Sequence, residues 1–313
     1  MRVDVHSHFV PPLPDFRLDT AGDRWPRVTF GEGRERRLDV AGQVSRTMDA
    51  TYWSVEARLE RLHRTSIDLQ VMSPLPALLP WWATGGSAAE WCAAVNEGIA
   101  NAVAEGEGRL RGFGIVPVQD SSRVPAVWEQ ARSLGLIGVE LGTAVDAARL
   151  LSHDDVDDSL RYLADESVPV LVHPNRPGTL GKVSPRLERG LAWPTDTAAV
   201  VAARIERARS APHPRACLSH GGGPLLWEWT RLFGARRDDD VAIPDWMYVD
   251  TALCSGAQVE YLIRVLGPDR VLFGSDQPAI DDDVMADHAN SMPTSWPGLA
   301  GKAPAEAFLG ISL

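Results

Sequence analysis

The chain is predicted to form a (β/α)8 TIM barrel, and three observations predict it. Short β-branched runs alternate with long Ala-, Leu- and Arg-rich segments at helical spacing. Eight such strand-then-helix units fit within 313 residues, a length that suits one α/β barrel. Imidazoles and a carboxylate stand at the C-terminal ends of several of these strands, the mouth at which barrels build their sites. An open doubly wound sheet is the competing fold, but no Gly-x-Gly-x-x-Gly follows the first strand.

The first strand begins near Val3 (VDVH). Residues 9–53 then interrupt the alternation with Pro11, Pro12, Pro14 and Pro26 and the run Arg34-Glu35-Arg36-Arg37. They form an insertion covering the C-terminal mouth, because they follow a strand of the barrel. Further strands begin near Asp68, Gly112, Gly138, Pro169, Ala216, Met247 and Arg270. The intervening helices are expected at residues 54–65, 87–105, 122–134, 154–166, 195–210, 224–235 and 256–267, with another at 282–290. Residues 176–194, with Pro177, Gly178, Gly181, Pro185 and Pro194, make a second long loop on the mouth. The whole of residues 1–313 reads as a single barrel domain without internal repeat.

With 31 basic and 42 acidic residues the net charge is −11, which argues against nucleic acid and anionic membrane as partners. Cys92, Cys217 and Cys254 are widely spaced and lack thiolate metal-site spacing. They read as core residues in a reducing, cytoplasmic compartment. Neither a leader nor a run long enough to span a membrane is apparent, so a soluble protein is expected. The acidic triplets Asp238–Asp240 and Asp281–Asp283 read as solvated loop or helix-start residues.

Side chains alternate along a strand, so His6 and His8 share a face at the end of the first. The fifth strand ends in His173, the sixth in His220 and the eighth in Asp276. Neutral imidazole and carboxylate are ligands for zinc-like divalent ions. Three imidazoles and one carboxylate leave a coordination position open for water on a single ion. Zinc suits that set; manganese, cobalt or iron(II) would also fit. His220 then serves either as acid or base beside the ion or as a fourth imidazole ligand. Gly221, Gly222 and Gly223 let the backbone after it pass close to metal or substrate. Trp53 and Trp82 lie on segments that could edge the pocket.

The HSH opening, Val172-His173-Pro174, His220 with its three glycines and the GSDQP run at Gly274–Pro278 resemble the decarboxylase and hydratase branch of the amidohydrolase superfamily. The resemblance is closest to the aminocarboxymuconate-semialdehyde decarboxylase-like family, and it extends over nearly the whole chain. It includes Gly42 to Arg46 (GQVSR), Trp53, Glu56 to Arg58, Trp82-Ala83 with Asn96, and Gly138 to Thr143 (GVELGT). The resemblance implies His6, His8, His173 and Asp276 as metal ligands and His220 as the catalytic acid/base. It implies Arg46 as a grip on a substrate carboxylate, and Arg231 as a residue reaching across a homodimer interface.

The expected activity is metal-dependent decarboxylation of a small unsaturated or aromatic carboxylic acid without an organic cofactor. A hydrolase or hydratase on the same scaffold is the alternative, and a non-catalytic, metal-stabilised binding protein a more distant one. The chain departs from the family pattern at Asn175 and Gln277, where aromatic residues are usual, and at Glu140, where a neutral amide is usual. Glu140 reads as a hydrogen-bond partner of a metal ligand or as a ligand to a second ion.

Overall fold

The computed structural model describes all residues except 16–23, 32–34, 84, 145–149, 176–183, 208–210, 235–240 and 295. Arg34, Pro177, Gly178, Gly181 and Asp238–Asp240 therefore lie outside the described residues. Among the described residues eleven strands run in chain order: β1 (Val3–Phe9), β2 (Arg27–Phe30), β3 (Arg36–Val40), β4 (Gln43–Met48), β5 (Leu69–Pro74), β6 (Leu110–Gly114), β7 (Gly138–Gly142), β8 (Val170–His173), β9 (Ala216–Leu218), β10 (Met247–Asp250) and β11 (Val271–Leu272). Eight of them form a parallel sheet in the order β1-β5-β6-β7-β8-β9-β10-β11.

Backbone bonds from Val5 to Phe273 O (2.9 Å), from Asp276 to His6 O (2.9 Å) and from His8 to Gln277 O (2.7 Å) join the first strand to the segment carrying β11. These bonds close the sheet into the expected (β/α)8 barrel. Val3, Val71, Phe113, Leu171 and Leu272, from strands all round the sheet, form one buried cluster. The C-terminal helix Ala303–Leu309 closes it with Phe308, whose ring meets both Phe113 and Tyr248. That plug seals the end opposite the mouth.

Helices lie where the apolar periodicity places them. Val55–Arg64 starts at Ser54, whose hydroxyl accepts from Ala57 N; Gly256–Leu266 starts at a capping box between Ser255 and Gln258. The helix expected over 224–235 shortens to Trp229–Phe233. Turns occupy the residues before it, where three glycines and Pro224 disfavour the helical backbone.

The insertion differs most from expectation. Residues 9–53 contain the antiparallel meander β2-β3-β4. The β3–β4 turn has positive φ at both Ala41 (52°) and Gly42 (74°), as a two-residue hairpin of type I′ requires. Leu38 pairs with Arg46 and Arg36 with Met48, so these four share one face. Leu38 and Met48 are buried. That face therefore packs inward, carrying two arginines with it. Trp25, just before β2, is buried against Trp91 and Trp82, with ring centroids 4.9 and 5.8 Å away.

Candidate metal centre

His6 and His8 stand in the C-terminal half of β1, which is buried along its whole length, with their Nε2 atoms 3.1 Å apart. Asp276 Oδ1 lies 3.7 Å from the first and 3.2 Å from the second. The His173 ring stands 5.1 and 4.9 Å from the rings of His6 and His8, and its buried Nε2 has no hydrogen-bond partner. One ligand atom from each of His6, His8, His173 and Asp276 lies within 4.8 Å of all the others. Three strands thus deliver four donors to one point.

The opposite ring nitrogens are held by acceptors. His6 Nδ1 bonds Asp250 Oδ2 at 2.7 Å, His173 Nδ1 bonds Pro174 O at 2.8 Å, and His8 Nδ1 faces Pro74 O at 3.3 Å. A proton on each Nδ1 turns each Nε2 lone pair toward the common point. Clustered lone pairs and a carboxylate repel one another unless a cation lies between them. The donor set therefore fits a divalent ion.

The field at the site favours positive charge. Burial, the largest single influence, opposes a charged His6, yet Asp250 with Asp276 and Glu140 together raise the imidazole to about 9. Burial holds His8 down to about 4 despite Asp276, and holds His173 well below the usual range, with His8 and His6 adding to the effect. Asp276 titrates below ordinary carboxylates: burial works against its charge, but His8 and the other imidazoles prevail.

His220 follows β9 with φ +56°, a left-handed conformation rare outside glycine, and its backbone N–H donates to Asp250 Oδ1 at 2.9 Å. Its ring lies 5.3 Å from His6 and 5.2 Å from His173, beside the four donors. Its Nδ1 has no partner, and burial lowers its pKa. Asp276 is left-handed too, with φ +54°. Two of the glycines after His220 lie close against the chain itself. A Cβ on Gly223 would lie 2.1 Å from Pro194 O, and one on Gly221 would lie 2.9 Å from Cys254 Sγ. Close packing of chain on chain leaves no room for a side chain at these two positions.

Asp250 is the residue that sequence reasoning missed. Its two oxygens serve His6 Nδ1 on one side and the His220 and Ala252 amides (2.9 Å each) on the other. It ends the seventh strand, so the rule that singled out the other polar strand ends applies equally to it.

Arg46 reaches the mouth from β4, where its Nη1 donates to Tyr52 Oη at 2.6 Å. Glu140 is fully buried on β7 with neither carboxylate oxygen hydrogen-bonded; Oε2 lies 3.8 Å from His8 Nδ1, and burial pushes its pKa up to about 8. Trp53 stacks under Arg36, whose guanidinium carbon is 3.5 Å from the ring centroid. It also lines a groove with Phe9, Glu56, Glu97 and Glu105. Trp82 packs against Trp25 of the insertion. Arg231 is 84% exposed, with Glu228 3.8 Å away. Neither tryptophan nor Arg231 is among the groups that meet at the four donors.

Asn175 and Gln277 have structural partners. Asn175 exchanges two hydrogen bonds with the backbone of Ala144, at 2.9 and 3.0 Å. Gln277 accepts from Gln70, which also donates to buried Asp4.

A closed parallel barrel with histidines and an aspartate converging at its mouth defines the metal-site class of barrel proteins. The amidohydrolase family model matches residues 3–307, and the chain belongs to that family. It is 24% identical over 301 residues to the 2-amino-3-carboxymuconate-6-semialdehyde decarboxylase of Dictyostelium discoideum, covering 89% of this chain and 82% of the relative. Among solved structures it is similar to the apo form of Metarhizium anisopliae IDCase, with 19% identity and a TM-score of 0.79 over 99% of this chain and 97% of the other. It is also similar to 5-carboxyvanillate decarboxylase of Novosphingobium aromaticivorans in complex with manganese and 4-hydroxy-3-methoxy-5-nitrobenzoic acid. That match has 17% identity and a TM-score of 0.73 over 99% and 96% of the two chains.

Proposed function

We propose that the protein is a metal-dependent carboxy-lyase acting on a small unsaturated or aromatic carboxylic acid, without an organic cofactor. The observation that carries the reading is the convergence of His6, His8, His173 and Asp276 with His220 standing beside them. The decarboxylases named above support the reaction class. A divalent ion held by the four donors supplies Lewis acidity and a water of lowered pKa. Zinc suits three imidazoles and a carboxylate, and the manganese in a structural neighbour makes that ion the second choice.

The reaction replaces a C–COO⁻ bond with C–H and releases CO2, so one proton must reach the carbon that keeps the electron pair. His220 is the group for that transfer: its imidazole adjoins the donors, and its Nδ1 is not committed to another protein atom. Asp250 holds the backbone that carries it. Arg46 orients the acid, and Glu140 tunes His8 from the side away from the donors. Trp53 and Trp82 act indirectly, by seating the insertion that brings Arg46 to the mouth. Arg231 projects from its helix toward a partner subunit in a cytoplasmic homodimer, as its exposure allows. Among the described residues no helix is long and apolar enough to cross a membrane.

The test is CO2 release by zinc- and manganese-loaded protein across muconate, hydroxybenzoate and pyridine carboxylic acids. His220→Ala should lower turnover by roughly 10²–10⁴-fold with metal content intact. Full activity in that variant, or loss of its metal, would reject the role given to His220. The family description keeps a hydrolase reading in play, and acid or lactone consumed without CO2 would favour it.

A further inference from the structure

Tyr52 occupies the three-residue turn Ala50–Tyr52 at the end of the insertion, just before the first helix, and its backbone is tied to the residue after β1. Val10 N donates to Tyr52 O at 2.8 Å. One guanidinium nitrogen of buried Arg58 donates both to Thr51 O, at 2.9 Å, and to His8 O. The turn therefore cannot shift without moving the end of β1. The Tyr52 side chain, 5% exposed, accepts the bond from Arg46 Nη1 at 2.6 Å. Because the phenolic oxygen accepts there, its own hydrogen remains to be donated. No acceptor for it lies among the described residues, nor does Arg46 have a carboxylate partner among them. The pair also stands within electrostatic range of the donors, for Arg46 bears on His8 and Asp276 on Tyr52.

An O–H and a guanidinium fork held side by side, neither with an anionic partner among the described residues, have the chemistry of a carboxylate receptor. Which carboxylate they take follows from the reaction. Loss of CO2 discharges the leaving group, so donors gripping it would stabilise the ground state above the transition state. A fixed cationic corner instead suits an anionic group that the substrate keeps. Beside Arg46, already given the acid, we propose that the Tyr52 hydroxyl is a further donor to the bound carboxylate, that it sets the orientation of that group, and that the group is one retained through the reaction. Only the choice of the retained group rests on the decarboxylase reading; the receptor itself does not.

The experiment titrates manganese-loaded wild-type and Tyr52→Phe protein with isophthalate, trans,trans-muconate and 4-hydroxy-3-methoxy-5-nitrobenzoate, each beside its neutral amide, by calorimetry. Tyr52→Phe should bind the acids about 10- to 100-fold more weakly, the loss of one hydrogen bond to a charged group, with amide binding and metal content unchanged. With a turned-over acid, KM should rise while kcat stays within about threefold. Equal weakening of acids and amides would show a packing role and overturn the proposal. Unchanged acid affinity, or wild-type protein that binds none of the acids, would overturn it as well. Tyr52-dependent acid binding without CO2 release from any acid would reject the decarboxylase reading and leave the receptor standing.

Discussion

Asp250 couples two residues that strand position alone treats as independent. One oxygen orients His6, and the other fixes the amide of His220 in a left-handed backbone. Asp250→Asn keeps the size but must turn an N–H₂ either to His6 Nδ1 or to the His220 and Ala252 amides. Metal affinity should fall about 10- to 100-fold, in line with loss of a carboxylate behind a ligating histidine. Turnover at saturating metal should stay depressed, because His220 is misplaced as well. Metal titration followed by activity at saturation separates the two effects, and full recovery at high metal would sink the coupling. The four candidate ligands are legible in the sequence because each stands at or just beyond the end of an apolar strand. Tyr52 is not, since its role depends on contacts with Val10 and Arg46 that only the folded insertion brings together.

Among the elements, the helices and barrel strands are legible because burial on a fixed face imposes a period. The meander of the insertion is not. Its strands carry arginines on the packed face, and its turn uses Ala41-Gly42 where Asn-Gly would have signalled a hairpin. A different contact sets the acid response of the helix layer. Asp157, at the start of helix Asp157–Asp165, pairs with Arg204 and Arg207 near the end of helix Trp193–Arg207. The bond from Arg207, aided by Arg204 and opposed by partial burial, holds its carboxyl well below the usual range. Because the folded pKa is depressed, this stabilisation is fully present above the unfolded value of about 3.9 and is lost as pH falls through the folded value. Asp157→Asn should cost roughly 1–3 kcal/mol at pH 7, and the deficit should shrink below about pH 4. Urea unfolding at the two pH values checks it; an equal deficit at both would show that the carboxylate charge is not the cause.

At the scale of the whole molecule, the metal centre sits on the seam where the barrel closes. β11 contributes only Val271 and Leu272 to the ladder, and the bonds completing the ring run through His6, His8, Asp276 and Gln277. Two ligands on β1, one after β11 and one on β8 across the mouth make a bound ion a clamp on that seam. An ion that binds only the folded chain stabilises it by about 2.7 kcal/mol at a hundred times its Kd. Chelation should therefore lower the thermal midpoint, and restored zinc or manganese should raise it in proportion to the logarithm of concentration. The loss should be local before it is global, with the His8 and Asp276 amides exchanging hydrogen faster on chelation while amides near Phe308 do not. His173→Ala removes a ligand without touching a seam hydrogen bond, so it should abolish the metal-dependent part of both effects and leave the chelated baseline in place. If that variant still responded to metal as the wild type does, His173 would not be a ligand, and the ion would be held at β1 and Asp276 alone.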